Sequence, residues 1–209
     1  MAMPGSFTRS TPCAVTMTRR RAGFTLVEVM VAMTIMAMAG TTLLVGLTAT
    51  TVATQDAVDT AAAQGLAQQL LDEICGMRYC EAGASPLDTG LGPGAPEVSA
   101  GARREFDDID DYHGVRTSPP TDRWGVALGS DDGKQSTRPS AFRAPTSFFT
   151  GWRQEVDVQY VSESNLSQSL SSGASNYRVI RVRIVADLPT GGTKVLADLS
   201  RTVAYVPAQ

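Results

Sequence analysis

From Phe24 to Leu47 the chain reads FTLVEVMVAMTIMAMAGTTLLVGL, and within it Glu28 is the only charged residue. A bilayer's hydrocarbon core requires about 20 predominantly apolar residues rising ~1.5 Å each, so this stretch reads as a membrane-spanning helix. Arg9, Arg19, Arg20 and Arg21 precede it, and the next charges after it are Asp56 and Asp59. Basic flanks stay on the cytoplasmic side of a span, which sets the N-terminus inside and the remainder outside. Glu28 is the anomaly, because an acidic side chain at the centre of a span costs about 2.5–3.5 kcal/mol on insertion scales and marks a functional partner. A rival reading is a secretory signal cut after the A-x-A triplet Ala37-Met38-Ala39, releasing a chain that starts at Gly40. The apolar run continues past that point to Leu47, and Glu28 would sit inside the signal's apolar region, which argues against it.

Downstream, Gln55 to Met77 carries Leu66, Leu70, Ile74 and Met77 at helical spacing, which predicts that residues 48–79 continue the helix with one apolar face. Five Gly and three Pro between Glu81 and Gly101 break the pattern into an irregular connection, and 80–150 as a whole reads as a loop region with short strands. Residues 151–209 alternate. Val156, Val158 and Tyr160, then Ile180, Val182 and Ile184, predict half-buried strands, and Pro189-Thr190-Gly191-Gly192 supplies a turn before a strand from Val195 to Tyr205. The expected fold is α+β: a long N-terminal helix packed on a small C-terminal antiparallel sheet of three or four strands, with Arg178, Arg181 and Arg183 lining its solvent face.

The segment RRRAGFTLVEVMVAMTIMA resembles the type IV prepilin cleavage and methylation motif: basic residues, Gly, Phe, Glu at the fifth position from that Phe, then an apolar helix. The resemblance implies a leader, residues 1–23 or a seven-residue one starting at Met17, which a prepilin peptidase removes between Gly23 and Phe24. It implies methylation of the new Phe24 amino group from S-adenosylmethionine. It also gives Glu28 an assembly role, its carboxylate pairing with the cationic N-terminus of a neighbouring subunit and setting register. FDDIDDYHG (106–114), SPPTDRWG (118–125), GWRQEVDVQYV (151–161) and LAQQLLDEI (66–74) are similar to minor pilin D of the mannose-sensitive haemagglutinin system, and the group also takes in type II secretion pseudopilins. The partners implied are the peptidase and methyltransferase, other pilin or pseudopilin subunits, the inner-membrane assembly platform and the lipid bilayer. The compartment implied is the inner membrane, single-pass, with the C-terminal part periplasmic or extracellular before filament assembly.

Four carboxylates, Asp107, Asp108, Asp110 and Asp111, crowd around Ile109. Oxygen donors suit calcium, but the spacing lacks the EF-hand pattern, so the default is a solvated or Arg-paired acidic loop with no metal. Cys13 falls in the leader, leaving Cys75 and Cys80 as one possible pair. On a continuous helix, residues five apart point roughly 140° away from each other, so a disulfide requires the helix to end between them; the alternative is two free thiols. His113 is the sole histidine, and no G-x-S-x-G, HExxH or phosphate-loop pattern occurs, so no catalysis and no cofactor are expected. Net charge is −3 with a pI near 5.2, leaving no basic field for nucleic acid.

Overall fold

The computed structural model describes residues 23–87, 90–99, 102–129, 139, 143–145, 147–170 and 174–207. The leader before Gly23, with Met17, Cys13 and its arginines, lies outside the described residues. The chain divides into two units, residues 1–51 and 52–209.

Helix α1 spans Leu26–Cys75. Thr25 opens it: its hydroxyl oxygen accepts the Glu28 N–H at 3.2 Å and its carbonyl accepts from Val29. T-x-x-E is a capping-box sequence, and Glu28 in the first turn complements the positive end of the helix dipole. Every described residue of the first unit is exposed, and α1 is long and apolar enough to cross a membrane. The hydroxyls of Thr34, Thr41, Thr42, Thr48, Thr50 and Thr51 bond back to carbonyls three or four residues earlier, so these hydroxyls are satisfied within the helix. The helix ends at Cys75, short of residue 79, where Gly76 follows and the chain turns with Met77 N–H bonded to the Ile74 carbonyl.

In the second unit, α1 buries Ala63, Ala67, Leu70, Leu71 and Ile74 against Val156, Val158, Ile180, Val182, Ile184 and Ala197 of the sheet. The strands are β1 (Arg116–Thr117), β2 (Trp152–Ser162), β3 (Asn165–Ser169), β4 (Tyr177–Asp187) and β5 (Thr193–Ala204). All pairings are antiparallel, in the order β1-β2-β4-β5, with β3 folding back on β2 beyond a bulge at Val161 and Ser162. Among the described residues the sheet thus has five strands where three or four were expected, because β1 is only two residues long and the polar stretch of β3 is exposed throughout with no hydrophobic alternation to read. Gly191 and Gly192, at φ +87° and +89°, make the turn between β4 and β5 that side chains with a Cβ rarely adopt. Along β2 and β4 burial alternates, and fully burying each Val or Ile there contributes about 1.5–3 kcal/mol.

One expectation is corrected. Arg178 is fully buried, not on a solvent face: it shares the parity of Ile180 and Val182, opposite to Arg181 and Arg183. Within 80–150, Phe106, Ile109 and Tyr112 belong to the core, and a short helix α2 spans Ala95–Ser99.

Candidate functional site

Gly23 and Phe24 lie in non-helical backbone ahead of α1, with Phe24 80% exposed. A Cβ added at Gly23 would meet no atom within 4 Å, so the chain's own packing does not require glycine there. Glu28 sits exposed in the first turn of α1, and its carboxylate has no ion-pair partner among the described residues. The sequence reading missed Thr25, whose capping role was legible in the T-x-x-E spacing.

The acidic segment is built inward from its backbone. Asp108 accepts the N–H groups of Asp110 (2.7 Å) and Asp111 (3.2 Å) through Oδ1, while Asp111 Oδ2 accepts those of Asp107 (3.0 Å) and Asp108 (3.2 Å). The two carboxylates cap one 3-10 turn reciprocally. Asp110 turns the other way, its Oδ2 accepting from the Arg178 guanidinium at 2.5 Å. Arg178 also donates to the Tyr160 hydroxyl at 2.9 Å and to the Tyr79 carbonyl, and lies 4.0 Å from the Tyr79 ring centroid and 5.0 Å from that of Tyr160. Burial pushes the Tyr79 hydroxyl up to about 12, so it stays protonated. A second buried node joins this segment to α1: Glu73 accepts from Tyr112 at 2.9 Å and from Arg103 at 3.2 Å. His113 accepts the Val158 N–H through Nδ1, a structural bond.

Of the four aspartates weighed as a weak calcium candidate, Asp107, Asp108 and Asp111 bring carboxylate oxygens within 4.8 Å of one another, and Asp110 stands apart with Arg178. Glu81 and Glu97, from the glycine-rich stretch, form a second such trio with Asp107. Burial, ahead of neighbouring carboxylates, pushes Asp108 and Glu97 above the usual carboxylate range. The oxygens suit a hard cation by type, but those of Asp108 and Asp111 already accept backbone donors and Asp107 pairs with Arg78. The default reading, an Arg-paired acidic segment, describes Asp107 and Asp110.

Cys75 and Cys80 are free, half-buried thiols on either side of the helix end, and burial pushes the Cys80 thiol up. On the sheet face opposite α1, a polar trough of about 640 Å³ is lined by Asp157, Gln159, Arg181, Asp198, Ser200 and Thr202, among others. Its charges are paired, Arg181 with Asp198 at 2.5 Å and Asp157 with Arg116 at 2.8 Å.

Residues 18–44 match the family described as the prokaryotic N-terminal methylation motif. No curated protein and no solved structure matches the chain. The motif and the apolar α1 support a type IV prepilin-like N-terminus, with one helix among the described residues that is long and apolar enough to anchor the chain in a membrane. The motif implies processing by a prepilin peptidase and assembly with other pilins.

Proposed function

We propose that the chain is a minor pilin or pseudopilin subunit, cut between Gly23 and Phe24, N-methylated on Phe24, and drawn from the inner membrane into a type IV pilus or a type II secretion pseudopilus. The observation that carries this reading is the methylation motif at residues 18–44, which runs into the exposed apolar start of α1. Gly23 supports it: a glycine that the fold does not need is one that a processing enzyme's close approach to the backbone would. Glu28 supports it too. A carboxylate left without an internal partner in an apolar span gains one when the cationic N-terminus of a neighbouring subunit lies beside it, and such a pair sets register. Arg19, Arg20 and Arg21 favour a cytoplasmic N-terminus and a periplasmic or extracellular second unit. The similarity of FDDIDDYHG to minor pilin D of the mannose-sensitive haemagglutinin system favours a minor subunit. In the exported compartment a Cys75–Cys80 bridge is permitted, and mass spectrometry with and without reduction decides between bridge and thiols.

Mass spectrometry of the mature N-terminus, on protein from the native host's membranes, tests the reading. N-methyl-Phe24 is the expected result. A chain beginning at Gly40 would overturn it, and an uncut leader would leave only a tether. The second reading is an exported monomeric binding protein held by a signal anchor, for which the polar trough of about 640 Å³ would be the concave surface. Glu28→Ala separates the two, since a tethered monomer tolerates it.

A further inference from the structure

Thr25 stops α1 just past the Gly23–Phe24 bond. Its carbonyl accepts the Val29 N–H at 3.2 Å, the first bond of the helical ladder, and its hydroxyl oxygen accepts the Glu28 N–H at 3.2 Å. These are the two marks of an N-cap residue, half in the helix and half out of it. The Glu28 carboxylate does not complete the box by reaching back to the Thr25 N–H, so among the described residues the cap is the Thr25 side chain alone. Ahead of it Gly23 and Phe24 stand outside the helix, Phe24 exposed and Gly23 with open space where a Cβ would be.

We infer that Thr25 is a positioning residue for leader removal: its cap ends the helix short of the Gly23–Phe24 bond and so presents that bond to the peptidase as extended backbone. The inference rests on the processing reading above. A peptide bond inside an α-helix has its N–H and C=O committed to the ladder, whereas proteolysis falls on exposed, irregular backbone. The residue types on the far side of the bond do not oppose a helix, since Arg19, Arg20, Arg21 and Ala22 all rank high in helix propensity. Gly23 disfavours helix but carries no side chain to accept an orphan N–H, so the boundary is set by Thr25. The methylation motif, matched at residues 18–44, spans the cap and the bond together and points to this stretch independently of the helix geometry. Thr25 acts through the backbone it holds. Losing the cap depopulates the arrangement of extended residues followed by helix, whether the first turn then frays or the ladder runs back over the bond.

The test is pulse–chase processing of the full chain in its native host, reading the uncut-to-cut ratio with time and identifying the new terminus by mass spectrometry. Four substitutions separate capping from shape. Thr25→Ser and Thr25→Asn keep an acceptor oxygen at the cap, Thr25→Val keeps the outline of threonine without one, and Thr25→Ala keeps neither. Thr25→Val and Thr25→Ala are expected to slow cleavage by about two- to fivefold, the upper figure being a whole cap of about 1 kcal/mol converted at about 1.4 kcal/mol per tenfold in rate. Thr25→Ser and Thr25→Asn are expected to run with wild type. Wild-type or faster cleavage of Thr25→Val and Thr25→Ala would overturn the inference. So would rates that follow shape, with Thr25→Val fast and Thr25→Asn slow, since the peptidase would then be reading the side chain directly. Both results leave the processing reading standing, whereas a wild-type chain left uncut between Gly23 and Phe24 would overturn that reading together with the inference.

Discussion

Between Phe24 and Leu47 the chain exposes every apolar side chain it carries, while between Arg103 and Tyr112 it buries an arginine and three aspartates. The two regions differ in where their partners come from. Asp108, Asp110, Asp111 and Arg103 find theirs inside the chain, each in a hydrogen bond or ion pair that offsets desolvation. The first half of α1 has no such partners among the described residues, so its apolar surface and the Glu28 carboxylate call for a lipid or protein environment from outside. An exposed apolar helix and a buried acidic turn are thus both complete designs, one open and one closed.

The sharpest way to break that contrast is to remove the open region's single charge. Glu28→Ala is expected to keep N-methyl-Phe24 and membrane insertion while all but abolishing the sheared-filament signal; immunoblotting of filament and membrane fractions checks it.

Removing a partner from the closed region comes next. Asp110→Ala strands the buried Arg178 guanidinium, at a cost of about 3–5 kcal/mol. For a chain of this size that lowers Tm by about 6–20 °C, measured on detergent-solubilised protein. Asp110→Leu with Arg178→Met should recover most of the loss, because no charge is then left unpaired; a double variant as unstable as the single one would show that packing, not charge, holds the node.

Ile74→Ala, where α1 meets the sheet, is expected to cost about 2–5 kcal/mol through lost burial and a cavity, read as a lower urea midpoint with an unchanged slope.

Acid titration gives a subtler separation. Burial alone would raise Asp157, but hydrogen bonds and charge from Arg116 and Arg183 outweigh it and hold the carboxyl low; the bond to Arg181 holds Asp198 low. Such groups contribute stability above the ordinary carboxylate pKa of about 3.9 and lose it as pH falls through their depressed folded values. Asp108 and Glu97 run the other way: raised by burial, they oppose folding while ionised, and protonating them as pH falls from neutral relieves it. The urea midpoint should therefore hold or rise on mild acidification and collapse only below the ordinary carboxylate range. Asp157→Asn should flatten the collapse, and Asp108→Asn, which keeps its acceptor oxygen, should reduce the rise to the share that Glu97 contributes.

The smallest effect belongs to the exposed Lys194–Asp56 pair, where Lys194→Ala should shift stability by less than about 1 kcal/mol.

Much of the fold was legible in one dimension because helix and strand impose their own periods. The uninterrupted apolar run from Phe24, the spacing of Leu66, Leu70 and Ile74, and the alternation along β2 and β4 each carry their burial locally. The motif around Gly23, Phe24 and Glu28 was legible for the same reason, being a contiguous chemical pattern. Arg178 was not. Its parity with Ile180 was visible, but an arginine on an inward face is stable only if an acid meets it, and Asp110 lies far away in sequence. Glu81 and Glu97 joining the aspartates, and Glu73 receiving Arg103 and Tyr112, are likewise long-range outcomes. The sequence by itself determined the apolar span, the processing motif and the sheet's alternation, since each depends on neighbours along the chain. Only the tertiary structure decided which charges are buried, because desolvation is offset by partners in space that no local pattern announces.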